Sequence, residues 1–296
     1  MYTLDQKHKK HSGSLYAVAF SSKLNLLFTG GADKIVASWN LETTENTPLS
    51  IKTDSAILNL RFLNDEKHLF IGLFNGNFHI IDIESRKEKK FFPYHKSGVF
   101  ATSYNEAKNF LFVGAGDGTV SIWDTTKFEL LKNYKLAEGK IRAIQNVEDA
   151  VFIGTSEGHI YRVDLADLGT AELFSTVDNP IYCLSYHPMK KALLVGDKNA
   201  HLSVVDLESK KVVLSLPGHN WPIYAIEWLG DDEFATCSRD KIVKIWDGTS
   251  LEVKQRLSFP EHKGHLNSIN NLQSIPLRNS LASVGDDKQI CIWSKS

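Results

Sequence analysis

One motif returns seven times along this chain, and it is seen best as ATCSRDKIVKIWD at Ala235–Asp247. Each copy ends on an aromatic or branched residue at the same place: Trp39, Ile81, Trp123, Val163, Val205, Trp246 and Trp293. Successive ends lie 42, 42, 40, 42, 41 and 47 residues apart, so copies of one unit use up nearly all of the 296 residues. No room is left for a second domain, and residues 1–296 are expected to form one. Within a copy, alternating and β-branched residues mark four short strands. The sixth copy shows them as Pro222–Trp228, Glu233–Cys237, Lys241–Asp247 and Glu252–Ser258, separated by the turns at 230–232 (GDD) and 238–241 (SRDK). Equivalent turns recur as GADK (31–34), FNGN (74–77), GDGT (116–119), SEGH (156–159), DKNA (197–200) and DDKQ (286–289). No stretch carries a sustained 3.6-residue period with caps, so the chain should be almost wholly β.

A period of about 40 to 45 residues, with four strands per copy and Trp-Asp endings, resembles the WD-repeat family over nearly the whole chain. The resemblance implies an all-β, seven-bladed β-propeller of four-stranded antiparallel blades. It also implies a non-catalytic protein-interaction module that binds partners around the mouth of the central channel. The last copy reaches only three residues past Trp293 and lacks its fourth strand. Tyr2, Thr3 and Leu4 precede the first copy and are expected to complete that last blade, which would close the ring and leave only short protected edges. A solvated monomer is then possible, alone or within a larger complex.

Four polar positions recur inside the copies: a His before the first strand, a Ser or Thr in the second, an Asp in the following turn and a Trp in the third. Three copies hold all four. They are His11, Thr29, Asp33 and Trp39; His219, Thr236, Asp240 and Trp246; and His265, Ser283, Asp287 and Trp293. Asp precedes Trp by six residues and the hydroxyl precedes it by ten in each. Imidazole, hydroxyl, carboxylate and indole can form a chain in which each donor meets an acceptor. The same side-chain types build nucleophile relays, but a catalytic site is needed once, whereas this set occurs three times and is lost as a set. Thr53, Ala137 and Val177 replace the His in the second, fourth and fifth copies, and Ile71, Ile153 and Val195 replace the hydroxyl. Joint loss is what packing predicts, because one polar member left in an apolar seam costs roughly 1 to 3 kcal/mol. The third copy pairs His95 and Asp117 with Val113, so its Trp123 indole lacks the usual acceptor.

Other motifs carry less. Gly114, Gly116 and Gly118 resemble a phosphate-cradling loop, but no helix follows and the segment falls in the repeat's own turn. The pairs His8/His11 and His262/His265 have metal-ligand spacing, yet His11 and His265 already belong to the repeating set. Asp231, Asp232 and Glu233 lack the other ligands of a calcium loop. No cofactor and no metal are expected. Cys183, Cys237 and Cys291 form no CxxC pair and read as small buried apolar residues. The start, MYTLDQKHKKH, has no apolar stretch behind it to act as a secretory signal, and no apolar run approaches membrane-spanning length. A cytoplasmic protein is expected. A net charge of -1 gives no global attraction to nucleic acid or anionic lipid, so neither is an expected partner.

In an antiparallel meander, the entry to the first strand and the turn between the second and third share one rim. Taking the positions three and five after the His site and one before the Asp site gives a candidate partner surface. It is dominated by Tyr16, Phe74, Phe100, Lys140, Arg142, Tyr182, Lys198, Tyr224, Arg239 and Asp286. Aromatic residues with four cations and one acid suit an acidic or aromatic peptide, with Tyr182 and Tyr224 as anchors. The alternative is an enzyme that uses the channel, as metal-dependent lactonases do. Such chemistry needs several acids or histidines converging at the mouth, and Asp286 is the only one among these positions. The long sixth step adds a further clue: Trp246 and His265 are 19 residues apart where other copies have 14, which places an insertion at Ser258–His265, near the same rim.

Overall fold

The alternating and β-branched stretches form strands of five to seven residues in the computed structural model, which describes residues 1–43, 46–230 and 232–295. Asp231 and Ser296 therefore lie outside the described residues. Among the described residues the strands form seven four-stranded antiparallel sheets, each with its neighbours in chain order except the last. The first blade, for instance, is Leu15–Ser21, Leu26–Gly31, Ile35–Asn40 and Asn46–Lys52. In the seventh, Ile269–Ile275, Ser280–Gly285 and Ile290–Lys295 are joined by Tyr2–His8, which pairs antiparallel with Ile290–Lys295. The fold is thus an all-β, seven-bladed β-propeller whose N-terminal strand completes the last blade.

The blades fall into two compact units. Met1–Ile57, Asn199–His201 and Pro217–Ser296 hold the first, sixth and seventh blades. Their cores are strips of residues from facing sheets, such as Leu15, Leu27, Trp39, Val284 and Ile292, or Ala235, Ile245, Leu257, Leu272 and Trp293. The closing strand is tied down at its start. The Tyr2 N–H donates to Gln255 Oε1 and Gln255 Nε2 donates back to the Tyr2 carbonyl, both at 2.7 Å. Burial, with Glu233 nearby, pushes the Tyr2 phenol up to about 12. The other unit, Leu58–Lys198 and Leu202–Leu216, holds the second to fifth blades. Its cores include Phe112, Ile122, Ile141, Ile153 and Val163, and Phe70, Phe78, Val99, Leu111 and Trp123.

Two short helical turns are all that interrupts the strands among the described residues, as the almost wholly β expectation allows. The insertion folds as a helical turn, Phe259–His262, ended by Lys263 in the left-handed region (φ 56), and Pro276–Arg278 forms a 3-10 turn. Four residues are too few to show a helical period. The turn is pinned from the closing strand, where Lys7 Nζ donates to the carbonyls of Lys263 (2.9 Å) and Gly264 (2.8 Å). The turns between second and third strands share one device. Lys34, Gly76, Gly118, Gly158, Ala200, Lys241 and Lys288, at equivalent places, all have φ between 64 and 92. Glycine takes that conformation without steric cost, and the other copies accept it for the sake of the tight reversal. No helix among the described residues is long and apolar enough to cross a membrane.

Candidate partner-binding site

The recurring polar set forms as a relay in each full copy. In the first blade, Trp39 Nε1–H donates to Thr29 Oγ1 (2.8 Å), Thr29 Oγ1 meets His11 Nε2 (2.8 Å), and His11 Nδ1 meets Asp33 Oδ2 (2.7 Å). Asp33 also accepts from the Ser12 and Ile35 amides, so one carboxylate fastens the entry loop, the turn and the ring. The sixth blade repeats this with Trp246, Thr236, His219 and Asp240 at 2.8, 2.7 and 2.9 Å. The seventh does so with Trp293, Ser283, His265 and Asp287 at 2.8, 2.9 and 2.9 Å. Burial lowers the His219 imidazole despite Asp240, which favours the neutral ring with Nδ1–H donating to Asp240 and Nε2 accepting from Thr236. His265 differs: burial pulls it down too, but the adjacent Cys291 sulfur and Asp287 hold it at about 9. The side chains of all three relays are buried.

The third blade supplies the acceptor that its sequence left open. Trp123 Nε1–H donates to Ser121 Oγ (2.7 Å), which also meets His95 Nε2 (2.9 Å). Ser121 is the cross-strand partner of Val113, the residue standing where other copies keep their hydroxyl. The hydroxyl has moved directly across the ladder and still faces the same rings. His95 Nδ1 then reaches Asp117 through Thr119 Oγ1. The signal lay in the sequence: Ser121 is two residues before Trp123 and so on the same strand face. A second recurring set was also missed. Asp82, Asp124, Asp206 and Asp247 each accept from Ser or Thr amides two or three residues on, closing the turn after the third strand. The Asp of the Trp-Asp ending is thus a turn residue.

The other motifs resolve as packing. At Gly116, an added Cβ would lie 2.5 Å from Ser97 Oγ and 2.7 Å from Phe100 Cε2, so this glycine makes room for the Phe100 ring. Both ring nitrogens of His11 and of His265 are engaged in the relays, and among the described residues no group of three His, Cys, Asp or Glu is placed to hold a metal. The three cysteines are buried and unpaired with one another.

A backbone irregularity presents the rim candidates. In six blades the first strand slips register against the second around one residue: Tyr16, Phe100, Arg142, Tyr182, Tyr224 and Asn270. These are the positions five after the His site. A bulge leaves its extra residue out of the ladder and turns its side chain away from the regular alternation. The two other position classes are joined directly, since the residue before the Asp site donates its amide to the carbonyl of the residue three after the His site. Examples are Ser156 to Lys140 (2.8 Å), Lys198 to Pro180 (2.9 Å), Arg239 to Pro222 (3.3 Å) and Asp286 to Ser268 (2.8 Å).

In the larger unit this geometry brings together residues 42 and 40 positions apart in sequence. The Arg142 guanidinium carbon lies 4.1 Å from the centre of the Tyr182 ring and 5.3 Å from that of Phe100. Lys140 Nζ lies 4.7 Å from the Phe100 ring centre. Burial, then the neighbouring Arg142 charge, pulls the Lys140 ammonium below its usual range. Phe74, in the turn of the second blade, is 60% exposed. Lys198 is exposed on the fifth blade. In the smaller unit, Arg239 lies over the ring of Trp221 at 4.8 Å. Trp221 is 52% exposed and was absent from the sequence-based set; a large aromatic between the His site and the first strand was the clue. Tyr16 and Tyr224 are half-buried bulge residues. Asp286, the one acid among the positions named from the sequence, accepts from Asn270 Nδ2 at 2.8 Å.

Seven blades of four strands, three of them carrying a full Trp-hydroxyl-His-Asp relay, define a WD-type propeller. The family model for the WD domain, G-beta repeat, matches residues 3–40, 86–124, 210–247 and 254–294, more than half of the chain, and the chain belongs to this WD40 family. Protein tipD of Dictyostelium discoideum is 25% identical over 314 residues, covering 98% of this chain and 49% of tipD. The p21-activated protein kinase-interacting protein 1-like of Danio rerio is 25% identical over 254 residues, 81% of this chain and 64% of that protein. The serine-threonine kinase receptor-associated protein of Homo sapiens is 24% identical over 242 residues, 80% and 67% respectively. The chain thus spans about half the length of tipD.

Proposed function

We propose that residues 1–296 serve as a single non-catalytic platform for protein-protein contact, with a peptide segment of a partner docking beside Phe100, Lys140, Arg142 and Tyr182. The observation that carries this is the stacking of Arg142 against both rings. Large rigid aromatic area and a pre-positioned guanidinium are the ingredients of binding hot spots. Phe74 adds exposed apolar area, and Lys198 adds charge. The Arg239 and Trp221 pair, with Tyr224, forms a second contact of the same kind, and Tyr16 and Asp286 complete the proposed partner-binding set. Two relatives, named for interaction with a protein kinase and association with a kinase receptor, support a role in assembly. The platform would act as a cytoplasmic monomer, alone or within a larger complex, on an acidic segment rather than on nucleic acid or membrane.

Arg142→Glu and Arg239→Glu, alone and together, test this by affinity purification from native cells followed by mass spectrometry. Both side chains are at least partly exposed, so the variants should melt like wild type. Proteins held by wild type should be absent from the double variant. Undiminished capture by a folded double variant would refute the assignment.

A further inference from the structure

Resting on the platform reading above, we infer that the larger unit binds its partner through a side-chain carboxylate held by Arg142, with a neighbouring apolar residue of the partner on Phe74. The surroundings of Arg142 narrow the ligand. Two aromatic rings already lie close to its guanidinium carbon, Tyr182 at 4.1 Å and Phe100 at 5.3 Å from the ring centres. The fork of guanidinium N–H donors suits a planar oxyanion accepting two parallel bonds. Among the described residues, no acid forms an ion pair with Arg142 or with Lys140. The two cations both lie over the Phe100 ring, and burial followed by the Arg142 charge lowers the Lys140 ammonium. Two adjacent uncompensated charges stabilise an incoming anion more than either would alone. Phe74 supplies the second chemistry, since it is 60% exposed and belongs to the blade next in sequence to that of Phe100. Phosphate oxygens can accept the same pair of bonds from one guanidinium edge, so the phosphoserine series below decides between the two anions.

Synthetic decapeptides of glycine and serine, carrying one leucine and one glutamate at every separation from one to six residues, provide the probe. Matched series replace the glutamate with glutamine, lysine or phosphoserine. Binding to the full chain is followed by fluorescence polarisation. At the best separation, glutamate should bind about tenfold tighter than glutamine or more. Arg142→Glu should reverse the preference between glutamate and lysine, and Phe74→Ala should weaken binding whatever the charge. Equal affinity for glutamate and glutamine, tighter binding of the phosphoserine series, or no binding of any series would each overturn the carboxylate assignment. The platform reading has its own readout: if Arg142→Glu still abolishes capture of cellular proteins, the surface stands and only the ligand chemistry falls.

Discussion

Thr29→Val removes one oxygen that serves two buried rings while keeping the shape of the side chain. Trp39 Nε1–H loses its acceptor at 2.8 Å and His11 Nε2 loses its donor at 2.8 Å. Thr29 and Trp39 are fully buried and His11 nearly so; water cannot readily take the missing place. Each stranded group costs about 1 to 3 kcal/mol, so the substitution should destabilise the protein by roughly 2 to 6 kcal/mol. The third blade shows the repair. There a valine, Val113, occupies the position of Thr29, and Ser121 opposite it serves both rings. The residue opposite Thr29 is Ala37, also buried. Ala37→Ser added to Thr29→Val should therefore recover most of the loss, whereas Ala37→Ser alone supplies a hydroxyl where one already serves and should not stabilise. Urea unfolding followed by tryptophan fluorescence measures all four proteins, provided the slopes agree. A cost below about 0.5 kcal/mol for Thr29→Val would refute the reasoning. So would a double variant less stable than the single one.

Acid should weaken the relay of the third blade in a defined window. Burial pushes His95 down to about 4, against the pull of Asp117, so the unfolded chain takes up a proton first. Stability present above the unfolded value near 6.5 is then lost as pH falls toward 4. The melting temperature should drop across that interval, less steeply in His95→Gln, and equal slopes in the two proteins would argue against it. Deleting residues 1–6 strips the outer strand from Ile290–Lys295 and breaks both bonds between Tyr2 and Gln255. A melting temperature lowered by about 5 °C is expected, and an unchanged curve would show that the closing strand adds no stability.

Much of the scaffold was legible because repetition averages out local ambiguity. A single stretch such as Lys241–Asp247 reads only weakly as a strand, yet seven copies in one register fix four strands each. The three full relays were equally plain, since His, hydroxyl, Asp and Trp keep fixed spacings and must satisfy one another once buried. Ser121 escaped because the other hydroxyls stand ten residues before their Trp, whereas here the hydroxyl lies across the ladder at the partner of Val113. The helical turn at Phe259–His262 escaped because its stabilising bonds come from Lys7, more than 250 residues away.

By itself the sequence determined the repeat, the strand pattern, the relays and the exchange by which Tyr2–His8 completes the seventh blade. Those features follow from hydrogen bonding and burial that each copy must satisfy in the same way, so periodicity records them. Only the tertiary structure decided which of the variable positions stand beside one another. The bulges at Phe100, Arg142 and Tyr182 turn those side chains out of the regular alternation and bring three rim residues from successive blades into one stack. Such a stack depends on backbone offsets between elements about 40 residues apart, and no spacing within a single copy encodes it.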